Sequence, residues 1–211
     1  MHLPTAALEA ARAHVLGAPK DDGELQLIVA RPRPAERELV SAARLDVVEG
    51  LVGDNWLTRG SRHTPDGSAV PDKQITVMNA RVAALVAGGE TNMALAGDQL
   101  YVDLDIGVGN LPVGSRLSIG SAVLEVTAPP HTGCKKFVAR FGEDAMRFVN
   151  SRDGRVHRLR GMNTKVVVAG TVRVGDRCRK LDADQPAQGA SLAEPEVGES
   201  AREPVSSLDG L

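Results

Sequence analysis

Cys134 stands in the run Pro129-Pro130-His131-Thr132-Gly133-Cys134-Lys135-Lys136. From Lys135 onward, Phe137, Phe141, Ala145, Phe148 and Val149 recur at helical spacing, which predicts a helix over 135–150 with its apolar face in the core. The thiol therefore sits at a helix start, where the macrodipole favours negative charge. Lys135 and Lys136 adjoin it and His131 lies three residues back; such neighbours favour the nucleophilic thiolate. A buried structural cysteine is the alternative, but the polar, basic surroundings favour a reactive one. One chemistry open to the pair is nucleophilic catalysis by Cys134 with His131 as base, although no third residue to orient the base is evident. Cys178, among Arg177, Arg179 and Lys180, reads as incidental.

A protein-ligated metal is a weaker reading. His131 and Cys134 offer two ligands, whereas structural zinc takes four and catalytic zinc three from the protein. Only His63, His157 or acids of the 58–73 loop could complete the set. The chain has no Gly-x-x-x-x-Gly-Lys phosphate loop and no Gly-x-Ser-x-Gly elbow. Gly107-Val108-Gly109 is followed by Pro112 and Gly114, so no dinucleotide-binding helix starts there. Asp103 and Asp105 share a strand face and read either as a carboxylate pair or as its solvated side.

Charge is distributed unevenly. Residues 131–160 carry eight bases (Lys135, Lys136, Arg140, Arg147, Arg152, Arg155, Arg158 and Arg160) against Glu143, Asp144 and Asp153. That excess suits an anionic ligand or a solvated helix face. Residues 182–211 carry seven acids and one base, lack periodic apolar positions and read as a disordered acidic tail. Of the 211 residues, 42% are hydrophobic, 25% charged and 2% aromatic. So few aromatic rings argue against a single-stranded nucleic-acid binder, which stacks bases on several of them. No apolar run approaches the roughly 20 residues of a membrane-spanning helix. The N-terminal stretch, with His2, Glu9, Arg12 and His14, is unlike a signal peptide, so a cytoplasmic location is expected, with both cysteines as thiols.

The elements that must position these residues are short. Thr5 is placed to cap a helix carrying Leu8, Ala11 and Val15. Leu25, Leu27 and Val29 alternate as a strand, and residues 44–54 run from a strand into a Gly-rich corner. Ile75, Val77 and Met78 precede Asn79, which is placed to cap a helix ending at Gly88-Gly89. Leu100, Val102, Leu104 and Ile106 alternate with Tyr101, Asp103 and Asp105, predicting a strand with one buried face. Residues 117–127 read as a hairpin turning at Gly120-Ser121. Strands at 166–169 and 171–174, joined by a turn at Gly170, close the fold as a pair. The class is mainly β, a barrel or sandwich with few helices.

Several of these pieces, in this order, resemble the MOSC domain, named for the C-terminal domain of molybdenum cofactor sulfurases. They are Val47-Val48-Glu49-Gly50-Leu51-Val52-Gly53-Asp54, Gly97-Asp98-Gln99-Leu100, and Pro112-x-Gly114-x-Arg116-Leu117-x-Ile119-Gly120. Leu124-Glu125-Val126-Thr127, the loop ending at Cys134, and Gly170-Thr171-Val172-x-Val174-Gly175-Asp176 complete the set. The resemblance implies a barrel-like fold over 25–181, with a helical extension at 1–24 ahead of it and the acidic tail behind. It implies molybdenum cofactor (molybdopterin) as ligand, with Cys134 carrying sulfur or contacting molybdenum. Thiolate is a soft donor suited to both tasks. Lys135, Lys136, Arg140, Arg158 and Arg160 would hold the anionic cofactor by charge-assisted hydrogen bonds, and Arg59, Arg62 and His63 would form a lid. A cysteine desulfurase or a molybdoenzyme would be the partner. The chain has no room for a pyridoxal phosphate domain, so that cofactor is not expected here. A non-catalytic module that binds, delivers or senses the cofactor or another anionic metabolite is the alternative.

Overall fold

The computed structural model describes residues 2–181. Seven strands close into a mixed barrel: β1 (Asp22–Ala30), β5 (Ile75–Asn79), β6 (Leu100–Asp103), β7 (Arg116–Ile119), β8 (Ala122–Val126), β9 (Met162–Val168) and β11 (Arg177–Leu181). Their order is β11-β7-β8-β9-β5-β6-β1, and β1 pairs back onto β11. β2 (Glu38–Val40) extends the sheet beyond the end of β1. A separate three-stranded sheet holds β3 (Ala42–Asp46), β4 (Gly50–Leu51) and β10 (Gly170–Arg173).

All barrel neighbours are antiparallel except β5 and β6. A parallel pair needs a crossover, and α4 (Ala80–Ala87) with the 3₁₀ turn Glu90–Ala96 supplies it. Asn79 caps α4 by accepting from Val82 N at 3.2 Å, and Gly88 ends it, as their spacing predicts. The hairpin turn at Gly120-Ser121 also falls where expected, between Ile119 and Ala122.

Two apolar clusters share the strands. Leu25, Ile28, Val77, Leu100, Leu117 and Leu124 fill the barrel. Val29, Met78 and Tyr101 point outward, under a layer formed by α1 (Thr5–Ala10), α2 (Arg12–Leu16), α4 and α5 (Lys135–Asn150). Tyr101 is thus fully buried, and β6 buries both faces rather than one because helices cover the outside of the barrel here. The strand also stops at Asp103. Asp103 and Asp105 do not pair: Asp103 accepts from Arg81 Nε at 2.6 Å, and Asp105 from Gly107 N at 2.8 Å.

Three further expectations are corrected. Pro4, not Thr5, stands at the N-cap of α1, and the predicted single helix breaks at Ala11 into α1 and α2. The strands on either side of Gly170 do not pair: β9 joins β8 and β5 inside the barrel, while β10 crosses to β3. The helix over 135–150 breaks at Gly142, where φ is +85° and a Cβ would run into His2. The acidic 182–211 segment lies outside the described residues. Within the described residues, no helix is long and apolar enough to cross a membrane.

Candidate functional site

A cleft of about 430 Å³ opens between the barrel and α5, within the size range of small-molecule sites. Its walls come from four places in the chain. The end of β1 gives Arg31, Arg33 and Arg37; α3 (Trp56–Arg59) gives Arg59, with Asn55 just before it. The segment before β6 gives Ala96 and Gly97, and the start of α5 gives Cys134, Lys136, Phe137 and Arg140. Arg160 closes the floor. Among the described residues, seven cationic side chains thus face one carboxylate, Glu36.

Two of these cations are locked by buried carboxylates. Arg31 donates from Nε and Nη2 to Asp54 at 2.7 and 3.0 Å and from Nη1 to Gly97 O at 2.8 Å. Arg160 donates from Nη1 to Asp98 Oδ2 at 2.6 Å and from Nη2 to Ala96 O at 3.0 Å, with its guanidinium over the Phe137 ring. The side chains of Asp54 and Asp98 are both fully buried. Low dielectric strengthens both pairs, and the Arg31–Asp54 pair is bidentate as well.

Arg33 pairs with Glu36 at 3.5 Å. Arg37, Arg59, Lys136 and Arg140 have no carboxylate partner among the described residues. Burial, and then the like charge of Arg140, lowers the pKa of Arg37; burial, and then Arg31, lowers that of Arg59. Both shifts record burial first and neighbouring positive charge second. Gly97 adopts φ +93°, and a Cβ on it would fall 3.6 Å from Arg140 Nη1 and 3.7 Å from Arg37 Nη2. The bare glycine leaves the space between these two guanidiniums open.

Cys134 is exposed at the N-cap of α5, and its thiol makes no capping hydrogen bond. Cys178, by contrast, is buried in the barrel, where desolvation pushes its thiol up to about 12. That state is inert at neutral pH.

The structure brings Cys134, Arg59, Lys136, Arg140 and Arg160 into one cleft, and leaves five other predicted residues out of it. Lys135 is exposed on the neighbouring turn, and Arg62 and His63 are exposed away from the walls. Arg158 donates from Nη1 to the carbonyls of Ile106 and Leu111 at 3.2 and 2.6 Å. His131 lies behind the loop, with Nδ1 3.3 Å from Asp98 Oδ1 and out of line for a hydrogen bond, so neither atom has a partner. Burial, and then the Arg160 charge, lowers His131 to about 4, against an opposing pull from Asp98. The imidazole is neutral at physiological pH.

Arg31, Arg37 and Asn55 are site residues that the sequence reading did not single out. For Arg31 the signal is the alternation Arg31-Pro32-Arg33-Pro34 directly after a strand, where a chain held extended by proline presents its cations at a barrel rim; Arg37 and Asn55 carry no such signal.

Residues 65–179, more than half of the chain, match the family model of the MOSC domain. No curated protein matches the chain. Among solved structures, the fold is similar to the YUAD protein of Bacillus subtilis, with a TM-score of 0.56 at 15% identity, covering 74% of this chain and 94% of that one. It is also similar to YiiM from Geobacillus stearothermophilus, with a TM-score of 0.52 at 14% identity, covering 78% and 79%. At these identities the likeness is one of fold. The match over 65–179 carries the family assignment: this chain belongs to the MOSC domain family.

Proposed function

We propose that the cleft holds molybdenum cofactor and that Cys134 is its soft donor, carrying sulfur or contacting the metal. MOSC domains are associated with this cofactor. The single observation that carries the reading is the convergence of four uncompensated cations on the cleft that exposes Cys134.

The residues present fit the group. The cofactor is an anionic pterin with a phosphate, and Arg37, Arg59, Lys136 and Arg140 supply the matching charge. Arg160 is 6% exposed and its Nε has no partner, nor has the buried Oδ1 of Asn55. Leaving such atoms unsatisfied is costly, so a donor and an acceptor stand ready for a polar ligand. When bound, the cofactor supplies a metal centre that accepts sulfur ligands.

The protein's part is to bind, orient and present the thiol. Arg31 and Arg160 are fixed by Asp54 and Asp98, so the cleft is organised before the ligand arrives. As a sulfur carrier, the Cys134 thiolate would attack the outer sulfur of a donor persulfide, such as that of a cysteine desulfurase. The S–S bond of the donor breaks, its thiolate leaves, and Cys134 holds the persulfide.

A second reading has its own observation. Most of the charge in the cleft is held without Cys134, as expected of a module that only binds the cofactor or another anionic metabolite. The test is co-expression in a host that makes the cofactor, followed by assay of bound pterin and molybdenum in wild type and Cys134→Ser. Retention by wild type and loss of molybdenum from the variant is the expected result. Equal retention by both favours the binding module, and no pterin in either overturns the assignment of the ligand.

A further inference from the structure

A second cleft, of about 340 Å³, lies on the other side of the 129–134 loop, and the chemistry above does not use it. His131 and Arg160 stand in its wall, and Arg155 and Arg158 complete the charged lining; among the described residues, no Asp or Glu contributes. Asp98 matches Arg160, whereas Arg155 and Arg158 have no carboxylate partner among the described residues.

The backbone goes out of its way to place Arg158. Helix α6 (Arg152–Val156) closes with Leu159 N donating to Gly154 O at 2.8 Å and Arg158 N to Arg155 O at 3.2 Å. Arg158 thereby takes φ +47°, at a helix end where glycine is usual. At the inner end of the cleft, the buried His131 Nδ1 lacks a partner among the described residues.

Thr127, Thr132 and Asn163 add neutral polar groups, and the remaining side chains of the lining are apolar. Val149 and Met162 are buried, while Val108 and Val113 are 46% and 57% exposed. Two exposed valines beside two unmatched guanidiniums describe an amphiphilic ligand. Arg158 Nη1 is already committed to two carbonyls, and Arg155 Nε donates to Asn150 O at 3.0 Å. The remaining donors, Arg155 Nη1 and Nη2 and Arg158 Nε and Nη2, are enough to hold a carboxylate.

We propose that this second cleft binds an organic monoanion, a carboxylate on an apolar body, separately from the ligand of the first cleft. Arg155 and Arg158 take the carboxylate, and Val108 and Val113 cover the apolar part.

The experiment titrates the full-length protein with 2-naphthoate and with neutral 2-naphthamide by calorimetry. Saturable binding is expected, with naphthoate at least about tenfold tighter than the amide. Arg155 is exposed and Val113 stands on the rim, so both can be replaced without touching the core. Arg155→Ala should weaken naphthoate about fivefold, and Val113→Asp, which sets a carboxylate at the mouth, by more. Arg37→Ala, in the first cleft, should leave naphthoate binding unchanged. Absence of saturable binding, equal binding of the amide, or loss in Arg37→Ala with Val113→Asp unaffected would each overturn the proposal.

Discussion

The barrel interior and the floor beneath the first cleft, around Arg160 and Asp98, are both closed to water, but they are built from opposite materials. Inside the barrel, Leu25, Ile28, Val77, Leu100, Leu117 and Leu124 belong to one continuous apolar cluster. The wall instead buries Arg160 and Asp98 as an ion pair, sets neutral His131 beside them and leaves three polar atoms there without partners. An apolar interior of this kind contributes stability through area removed from water. A buried ion pair adds little net stability over apolar residues of the same shape, yet breaking it is expensive. The wall therefore serves to fix donors and charge at the floor of the cleft, and stability comes from the barrel.

Breaking each region once tests that division. Leu124→Ala should cost about 2–5 kcal/mol through the cavity it leaves. Asp98→Ala should cost about 3–5 kcal/mol, because Arg160 is left buried without its carboxylate. The two variants then part company. With pyrophosphate as an anion probe, Leu124→Ala should bind as wild type does wherever it is folded. The double variant Asp98→Leu/Arg160→Met should recover most of the lost stability and still bind pyrophosphate at least about tenfold more weakly. Denaturant midpoints and calorimetry read both quantities. A double variant that bound normally would show the floor to be mere packing.

The difference between the regions also governs what could be read from the chain. The barrel was legible because its strands alternate: β7 and β8 were placed from 117–127 alone, turn included. The outward burial of Tyr101 was not, since it depends on α1 and α2 from the far N-terminal end, on α4, and on α5 from later in the chain. Asp54 and Asp98 were visible as parts of Gly-Asp motifs, but nothing local said that they anchor Arg31 and Arg160. Cys134 was legible through its proline-rich loop. Arg31 and Arg37 were not, because they meet Arg140 only after β1 and α5 pack against the segment holding Gly97.

Acid should sharpen the contrast. The folded chain holds His131 near 4, below the ordinary 6.5: burial and then Arg160 disfavour the proton, Asp98 favours it, and Arg31 and Lys73 add to the lowering. The unfolded chain thus takes up a proton that the folded one refuses. Stability due to the neutral imidazole is complete above about 6.5, falls as the pH drops toward 4, and levels off below; its size is at most about 3 kcal/mol. His131→Gln should lack this part of the acid loss, so the stability gap between wild type and variant should shift in the variant's favour between pH 7 and 4. A gap that stays constant over that range would mean that His131 titrates normally and that the wall is wetter than its burial implies.

The smallest effects separate charges within the basic segment itself. Lys135 and Lys136 are adjacent, but neighbouring positions on a helix face directions about 100° apart, and only Lys136 lines the cleft. Both are exposed, so neither should move stability by more than about 0.5 kcal/mol. Arg140 reaches further in and donates from Nη1 to Leu95 O at 2.7 Å. Arg140→Ala should therefore weaken pyrophosphate about tenfold, Lys136→Ala about threefold, and Lys135→Ala less than either. Raising the salt concentration should shrink the Lys136 effect before the Arg140 effect, because screening acts first on charges that face water. Equal losses for Lys135→Ala and Lys136→Ala would mean that the segment attracts anions as an undivided field; unequal losses would locate the attraction in the cleft.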